Sequence, residues 1–168
     1  MIETSLIRAV VLDFDGVLTD NRVTVFSDGS EAVVCNRSDG WGIRMLKEAG
    51  YIVIILSSET NAVVEARAKK LQVEAITGKI DKLTALVDWL KDNNLSQADI
   101  LYVGNDLNDL ECINHSGIGV AVADSHKYVI DCADHVLQKN GGDGVVQEIV
   151  DLLGIDASVV AKMDRGLN

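Results

Sequence analysis

The chain has 168 residues, with 15 Lys+Arg against 26 Asp+Glu and a formal charge of −11. That length suits one compact domain, 48% hydrophobic and 24% charged residues argue against disorder, and the acidic balance disfavours nucleic acid or an anionic membrane as partner. Cys35, Cys112 and Cys132 form no CxxC pair, which argues against a disulfide framework and a zinc site. Met1–Arg8 lacks an apolar signal core and no run approaches the ~18 apolar residues of a spanning helix, so the expectation is a soluble, cytoplasmic single domain over residues 1–168. A phosphorylated small molecule stays open as a ligand, because a few local cations or a metal reverse the field within one pocket.

Ile7–Phe14 is β-branched and almost wholly apolar, as a strand buried on both faces should be. The next segment breaks the pattern: Arg22–Phe26, the turn Ser27-Asp28-Gly29-Ser30 and Glu31–Asn36 predict a β-hairpin. Then amphipathic and apolar stretches alternate. Gly42–Ala49 predicts a helix, Tyr51–Leu56 a strand, Asn61–Leu71 a helix, Val73–Thr77 a strand and Lys82–Asn93 a helix. Ile100–Val103 and Ile118–Val122 predict strands, Leu107–His115 and Val145–Leu153 helices. Strands and helices at this spacing imply right-handed βαβ units, hence an α/β, doubly wound parallel sheet with helices on both faces.

In such sheets function gathers at the carboxyl ends of the strands. Those ends carry Asp13 and Asp15, Ser57 and Ser58, and Asn105 and Asp106, and Lys82 opens a helix between them. Two carboxylates at i and i+2 leaving a buried strand repel unless a cation sits between them, and Gly16 lets the backbone turn so that Asp15 faces back toward Asp13. The plain alternative is an Asp-Gly turn with a solvated acid. An EF-hand loop is excluded, since the Gly falls too early and no Glu follows at the twelfth position. Ser57 is explained equally by a helix N-cap and by a phosphate site, which share the same free N–H groups. Lys82 alone reads as a surface lysine. In Gly104-Asn105-Asp106-Leu107-Asn108-Asp109, four acids or amides in five positions exceed what capping needs.

In order and spacing these four pieces resemble the motifs of the haloacid dehalogenase superfamily of phosphotransferases. The hairpin, Arg37–Ile43, Val64–Leu71, Asp81-Lys82-Leu83 and Gly141-Gly142-Asp143-Gly144 are similar to a capless branch of it. That branch comprises phosphatases of 3-deoxy-D-manno-octulosonate 8-phosphate, nonulosonate 9-phosphate relatives and the phosphatase-like domain of acylneuraminate cytidylyltransferases. The resemblance implies a Rossmann-like core with a hairpin insertion and no cap. It makes Asp13 the nucleophile that forms an aspartyl-phosphate, Asp15 the general acid/base, and Ser57, Ser58 and Lys82 the phosphate ligands. It implies Mg²⁺ held by Asp13, the Asp15 carbonyl, Asn105 and Asp106, with Asp109 and Thr19 in support.

Two positions depart from the family pattern. Asn105 stands where the family carries Asp, which keeps a carbonyl ligand but loses a charge, and Gln147 stands where many relatives carry Arg. The expected substrate is a 3-deoxy-2-ulosonic sugar-acid phosphate bound by Glu59, Arg67 and Lys70. Glu59 with Lys70 looks like the nine-carbon phosphatases, whereas the octulosonate enzymes carry Arg at the position of Glu59. The competing reading is a weakly active or inactive oligomerisation domain beside a sialate enzyme. A bacterial receiver domain is disfavoured because its acids lie on different strands. An open mouth over Asp13 and an alternating apolar set, Val23, Val25, Val33 and Cys35, predict self-association through the hairpin, and the resemblance, whose members pair such hairpins, implies a homotetramer in which a neighbouring subunit closes each site.

Overall fold

The computed structural model describes residues 3–156 together with 158 and 159. Ala9–Leu12 (β1) forms the centre of the sheet, all four residues buried. A hairpin of Thr24–Val25 (β2) and Glu31–Ala32 (β3) follows, then Ser38–Glu48 (α1), Ile52–Leu56 (β4), Ala62–Leu71 (α2) and Glu74–Ile76 (β5). Lys82–Asp92 (α3), Ile100–Gly104 (β6), Leu110–His115 (α4), Ile118–Ala121 (β7), Lys127–Cys132 (α5), His135–Val136 (β8) and Val145–Leu152 (α6) complete it. The sheet order is β5-β4-β1-β6-β7-β8 and every pairing is parallel. The chain therefore winds outward from β1 to β5, then crosses back to β6 and winds the other way. That reversal opens a crevice between the carboxyl ends of β1 and β6.

Strand periodicity divides the core in two. Val10 and Leu12 of β1 face α1, α2 and α6 through Ile43, Leu46, Val64 and Ile149. Ala9 and Val11 face α3, α4 and α5 through Leu86, Trp89, Ile113 and Val129. No inserted cap domain interrupts the described residues, and among them no helix is long and apolar enough to cross a membrane.

Several local outcomes differ from the sequence expectation. The first helix starts at Ser38 rather than Gly42, because Asn36 Oδ1 accepts the Ser38 N–H at 3.0 Å and its hydroxyl at 2.8 Å and so organises the first turn. Its glycines look like loop residues, yet a Cβ on Gly42 would lie 2.9 Å from Val146 Cγ1, so close helix packing accounts for that one. The expected helix from Leu107 opens with a 3₁₀ turn over Leu107–Asp109. The short α5 and β8 carry too few residues for a periodic signal and were not anticipated.

The hairpin is present, with Asp28 Oδ1 accepting the Ser30 N–H at 2.9 Å and Gly29 at φ +83°, but its ladders are two residues long. Its apolar set is unevenly buried: Val23 and Val33 fall opposite each other in the register and line one cleft. Val33 and Cys35 pack against the chain's own core, while Val23 and Val25 stay exposed beside Phe26 and Val34.

Leu46 is fully buried in the larger core. Leu46→Ala is expected to destabilise the fold by about 2–5 kcal/mol. Urea unfolding should show this as a lowered midpoint at unchanged slope.

Candidate active site

The topology brings Asp13, at the end of β1, beside the loop that follows β6. The Asp13 N–H donates to Val103 O at 2.9 Å, which extends the ladder by one residue and points its carboxylate into the crevice. Gly16, at φ +83°, turns the chain, and a Cβ there would lie 1.9 Å from Asn105 Nδ2. Glycine lets the turn after Asp15 and the Asn105 loop touch.

Lys82 is the hub. Its Nζ lies 2.6 Å from Asp13 Oδ1 and 2.8 Å from Asp109 Oδ1, and Lys82, Asp13 and Asp109 are all buried. The lone-lysine reading of Lys82 as a solvated residue is therefore overturned. Asp109 collects three further donors: Tyr102 OH on Oδ1 at 2.7 Å, and the Asn105 and Asp106 N–H groups on Oδ2 at 2.9 and 3.3 Å. Tyr102 escaped the sequence reading; the signal available was one aromatic hydroxyl in an otherwise aliphatic buried strand.

Two carboxylates and one ammonium leave the buried cluster one negative charge in excess. Burial pushes Asp13 up to about 7, the charge of Asp109 pushes the same way, and Lys82 opposes both. Burial alone would lower Lys82, but the carboxylates of Asp13 and Asp109 outweigh it and raise the ammonium. Beside this cluster Asn105 Oδ1 is buried and has no hydrogen-bond partner. An unpaired carbonyl oxygen next to excess negative charge is what a hard divalent cation requires. Among the described residues no three His, Cys, Asp or Glu side chains form a metal cage. A cation here would rest on Asp13, a backbone carbonyl and the Asn105 amide.

Asp15 is half-buried, and its Oδ1 accepts the Thr19 hydroxyl at 3.3 Å, while Thr19 Oγ1 accepts the Gly16 and Asn21 N–H groups at 3.2 and 3.3 Å. Burial raises its carboxyl, the Thr19 bond lowers it, and the charge of Glu59 raises it again. Ser57 is buried at the end of β4, where its Oγ accepts the Glu59 N–H at 3.1 Å, and Ser58 Oγ accepts from Asn108 Nδ2 at 3.2 Å. Asp13, Asp15, Ser57, Ser58, Glu59, Asn105 and Asp106 line one cleft of about 120 Å³, together with Asn108 of the same polar loop and Asn21, which carries no signal in the sequence. A second cleft of about 220 Å³ shares Asp15, Asn21 and Glu59 and extends toward the hairpin. Arg67 and Lys70 do not join this cleft. They line a separate groove between α1 and α2 with Arg37, Trp41, Arg44 and Lys47, and Arg67 Nη2 donates to Asn36 O at 2.8 Å. Gln147 likewise points to α1, its Nε2 donating to Ser38 O at 2.9 Å.

Residues 55–149 match the model of a family described as haloacid dehalogenase-like hydrolases, and that span holds Ser57, Lys82 and the Asn105–Asp109 loop. The chain belongs to this family. It is 36% identical over 148 residues to the 3-deoxy-D-manno-octulosonate 8-phosphate phosphatase of Escherichia coli K12, covering 88% of this chain and 79% of that one. It also resembles the crystal structure of the Moraxella catarrhalis phosphatase of that name, in complex with magnesium, phosphate and KDO (TM-score 0.89, 31% identity, 96% and 94% of the two chains). A Streptomyces avermitilis chain carrying a HAD-family hydrolase assignment is 45% identical at TM-score 0.85, over 88% of this chain and 85% of that one.

Lys82→Met is expected to leave two buried carboxylates without a cation and to cost about 3–5 kcal/mol, read by chemical denaturation. Asp13 predicts a pH signature in the cation-free protein. Its folded pKa of about 7 lies above the ordinary carboxylate value of 3.8, so its protonated form favours the fold at low pH and that contribution is lost as pH rises through about 7. Thermal melts should therefore show Asp13→Asn gaining on wild type near pH 8 and the gap closing toward pH ~5.

Proposed function

We propose that the chain is a divalent-cation-dependent phosphomonoester hydrolase acting on a 3-deoxy-2-ulosonic sugar-acid phosphate. The observation that carries this reading is the Asp13–Lys82–Asp109 cluster with the unpaired Asn105 Oδ1 beside it. Mg²⁺ fits that site. Asp13, the Asp15 carbonyl and Asn105 would hold it, Asp106 would support it, and when bound it supplies positive charge that offsets the carboxylates and the substrate phosphate.

The chain's own residues then divide the work. Ser57, Ser58 and Lys82 receive the phosphoryl oxygens. An oxygen of the Asp13 carboxylate attacks phosphorus in line; a P–O bond to Asp13 forms as the bond to the sugar oxygen breaks, and Asp15 gives that oxygen its proton. Asp15 then takes a proton from water, which attacks the aspartyl-phosphate, frees inorganic phosphate and restores Asp13. The raised Asp15 carboxyl suits a group that must hold a proton and return it. This intact set argues against an inactive oligomerisation domain, while Asn105 in place of Asp supports a weaker hold on the cation.

Glu59 is the cleft residue that selects the sugar. Its negative charge beside Asp15 disfavours a substrate carboxylate there and favours hydroxyls, which supports a nonulosonate 9-phosphate over the eight-carbon ester. The exposed Val23, Val25, Phe26 and Val34 give the hairpin an apolar surface for assembly into a homotetramer whose subunits close each other's clefts.

Phosphate release is the decisive assay, run over sugar phosphates with Mg²⁺ and with chelator. Activity should require the cation, Asp13→Asn should lose at least about three orders of magnitude in kcat, and Asn105→Asp should lower the Mg²⁺ concentration at half activity. Cation-independent turnover, or Asp13→Asn within about twofold of wild type, overturns the reading. A preference of about tenfold for the eight-carbon ester overturns the choice of sugar alone. Light scattering should report about four chains per particle, and Val25→Asp should lower assembly and activity together.

A further inference from the structure

The scheme above leaves one buried carboxylate unused. Asp39, in the first turn of α1, is 1% exposed. Its Oδ1 accepts the backbone N–H of Val146, in the first turn of α6, at 3.1 Å, and its Oδ2 is buried without a hydrogen-bond partner. Burial pushes this carboxyl up to about 6, against the Val146 N–H and the positive charges of Arg67 and Lys139. A carboxylate is a costly group to bury for a single backbone bond.

The bond lies where two helix starts meet. A Cβ on Gly144 would come 2.2 Å from Ser38 Oγ, and Gln147 Nε2 holds Ser38 O at 2.9 Å, so the first turns of α1 and α6 cannot shift independently. Directly before α6 the Gly141-Gly142 segment packs on the catalytic turn. The Gly142 N–H donates to Val17 O at 2.9 Å, and a Cβ on Gly141 would fall 2.0 Å from Gly16 O. Gly16 is the residue whose missing side chain admits Asn105. Asp39 is thus joined to the turn that carries Asp15 by its bond to Val146, by the short chain segment from Val146 back to Gly142, and by the Gly142 bond to Val17.

We propose that Asp39 is a positioning residue: through the Val146 N–H it holds the start of α6, and with it the Gly141-Gly142 segment, against the turn that carries Asp15. The kinetic consequence rests on the phosphatase reading; the mechanical link does not. Without the acceptor the Gly141-Gly142 segment loosens, and Asp15 and Asn105 lose the wall that sets their separation. Chemistry should suffer more than binding, because a misplaced acid/base leaves the phosphate ligands intact.

The test compares wild type, Asp39→Ala, which removes the acceptor, and Asp39→Asn, which keeps an oxygen there without the charge. Amide exchange of Gly142 is measured against Val11 in β1, and kcat and KM are measured well below each melting temperature. In Asp39→Ala we expect Gly142 exchange at least about tenfold faster with Val11 unchanged, and kcat down at least about tenfold with KM within about threefold. Asp39→Asn should stay within about threefold of wild type in both readouts. If Asp39→Ala does not fold, Asp39→Ser, whose hydroxyl is too short to span to Val146, takes its place.

Unchanged Gly142 exchange in the variant lacking the acceptor overturns the proposal. So does Asp39→Asn as impaired as Asp39→Ala, since the oxygen would then not be what acts. A destabilised Asp39→Ala that keeps the wild-type kcat reduces Asp39 to a structural residue and also overturns it. Faster Gly142 exchange in a protein that hydrolyses no phosphate ester supports the mechanical link and overturns the phosphatase reading separately.

Discussion

One buried ammonium holds the site together. Lys82 joins β1, through Asp13, to the loop after β6, through Asp109, and it reaches both from the first turn of α3. Three segments far apart in the chain converge on one Nζ atom. Two carboxylates this close and this buried would repel strongly, so the cation is a condition of the fold as well as of the chemistry. Asp109 shows how fully the requirement is met: an ammonium, a phenol and two backbone N–H groups converge on its two oxygens. Asp13 is less completely satisfied, its Oδ1 meeting Lys82 alone among side-chain donors.

The excess negative charge explains the rest of the cleft. A site that must accept a phosphate dianion cannot remain net negative, and Lys82 is already shared between two acids. The unpaired Asn105 oxygen therefore belongs to the same electrostatic problem, since it offers a ligand to a cation that restores balance. The Asn105 side-chain amide carries no charge, and the bond to Asp109 Oδ2 comes from the backbone N–H of Asn105, so the loop is held independently of the charge on that side chain. Asp15 stands apart from this cluster, half-buried and tied to Thr19, where it can exchange a proton without disturbing the ion pairs.

Close packing of backbone, more than side-chain contact, fixes the geometry around these charges. Gly16 against Asn105, Gly141 against Gly16 and Gly42 against Val146 are all approaches that a single methyl group would block. The turn that carries Asp15 is thereby enclosed between the β6 loop on one side and the segment before α6 on the other. The groove between α1 and α2, with Arg37, Arg44, Lys47, Arg67 and Lys70, concentrates positive charge on a chain of −11 net charge, well apart from the acidic cleft.

Much of this was legible in the chain itself. Apolar β-branched runs separated by amphipathic stretches determine a parallel sheet with helices on both faces, because only strands buried on both sides read as continuous hydrophobic segments. The Asp13-x-Asp15-Gly16 turn, Ser57, Lys82 and the Asn105–Asp109 loop were each visible as polar residues at strand or helix ends. What only the tertiary structure decided is who touches whom. Lys82 reads as a surface lysine until β1 and β6 are neighbours, and Tyr102 reads as core until Asp109 folds over it. Asp39 carries no signal in the sequence, where the helix is expected only from Gly42, until α6 presents Val146, and Arg67 and Lys70 leave the cleft because they line the groove between α1 and α2. The physical reason is range: patterns of hydrophobicity and turn formation act over a few residues and are written locally. Charge pairing and close backbone contact act between segments that only the completed sheet brings within 3 Å.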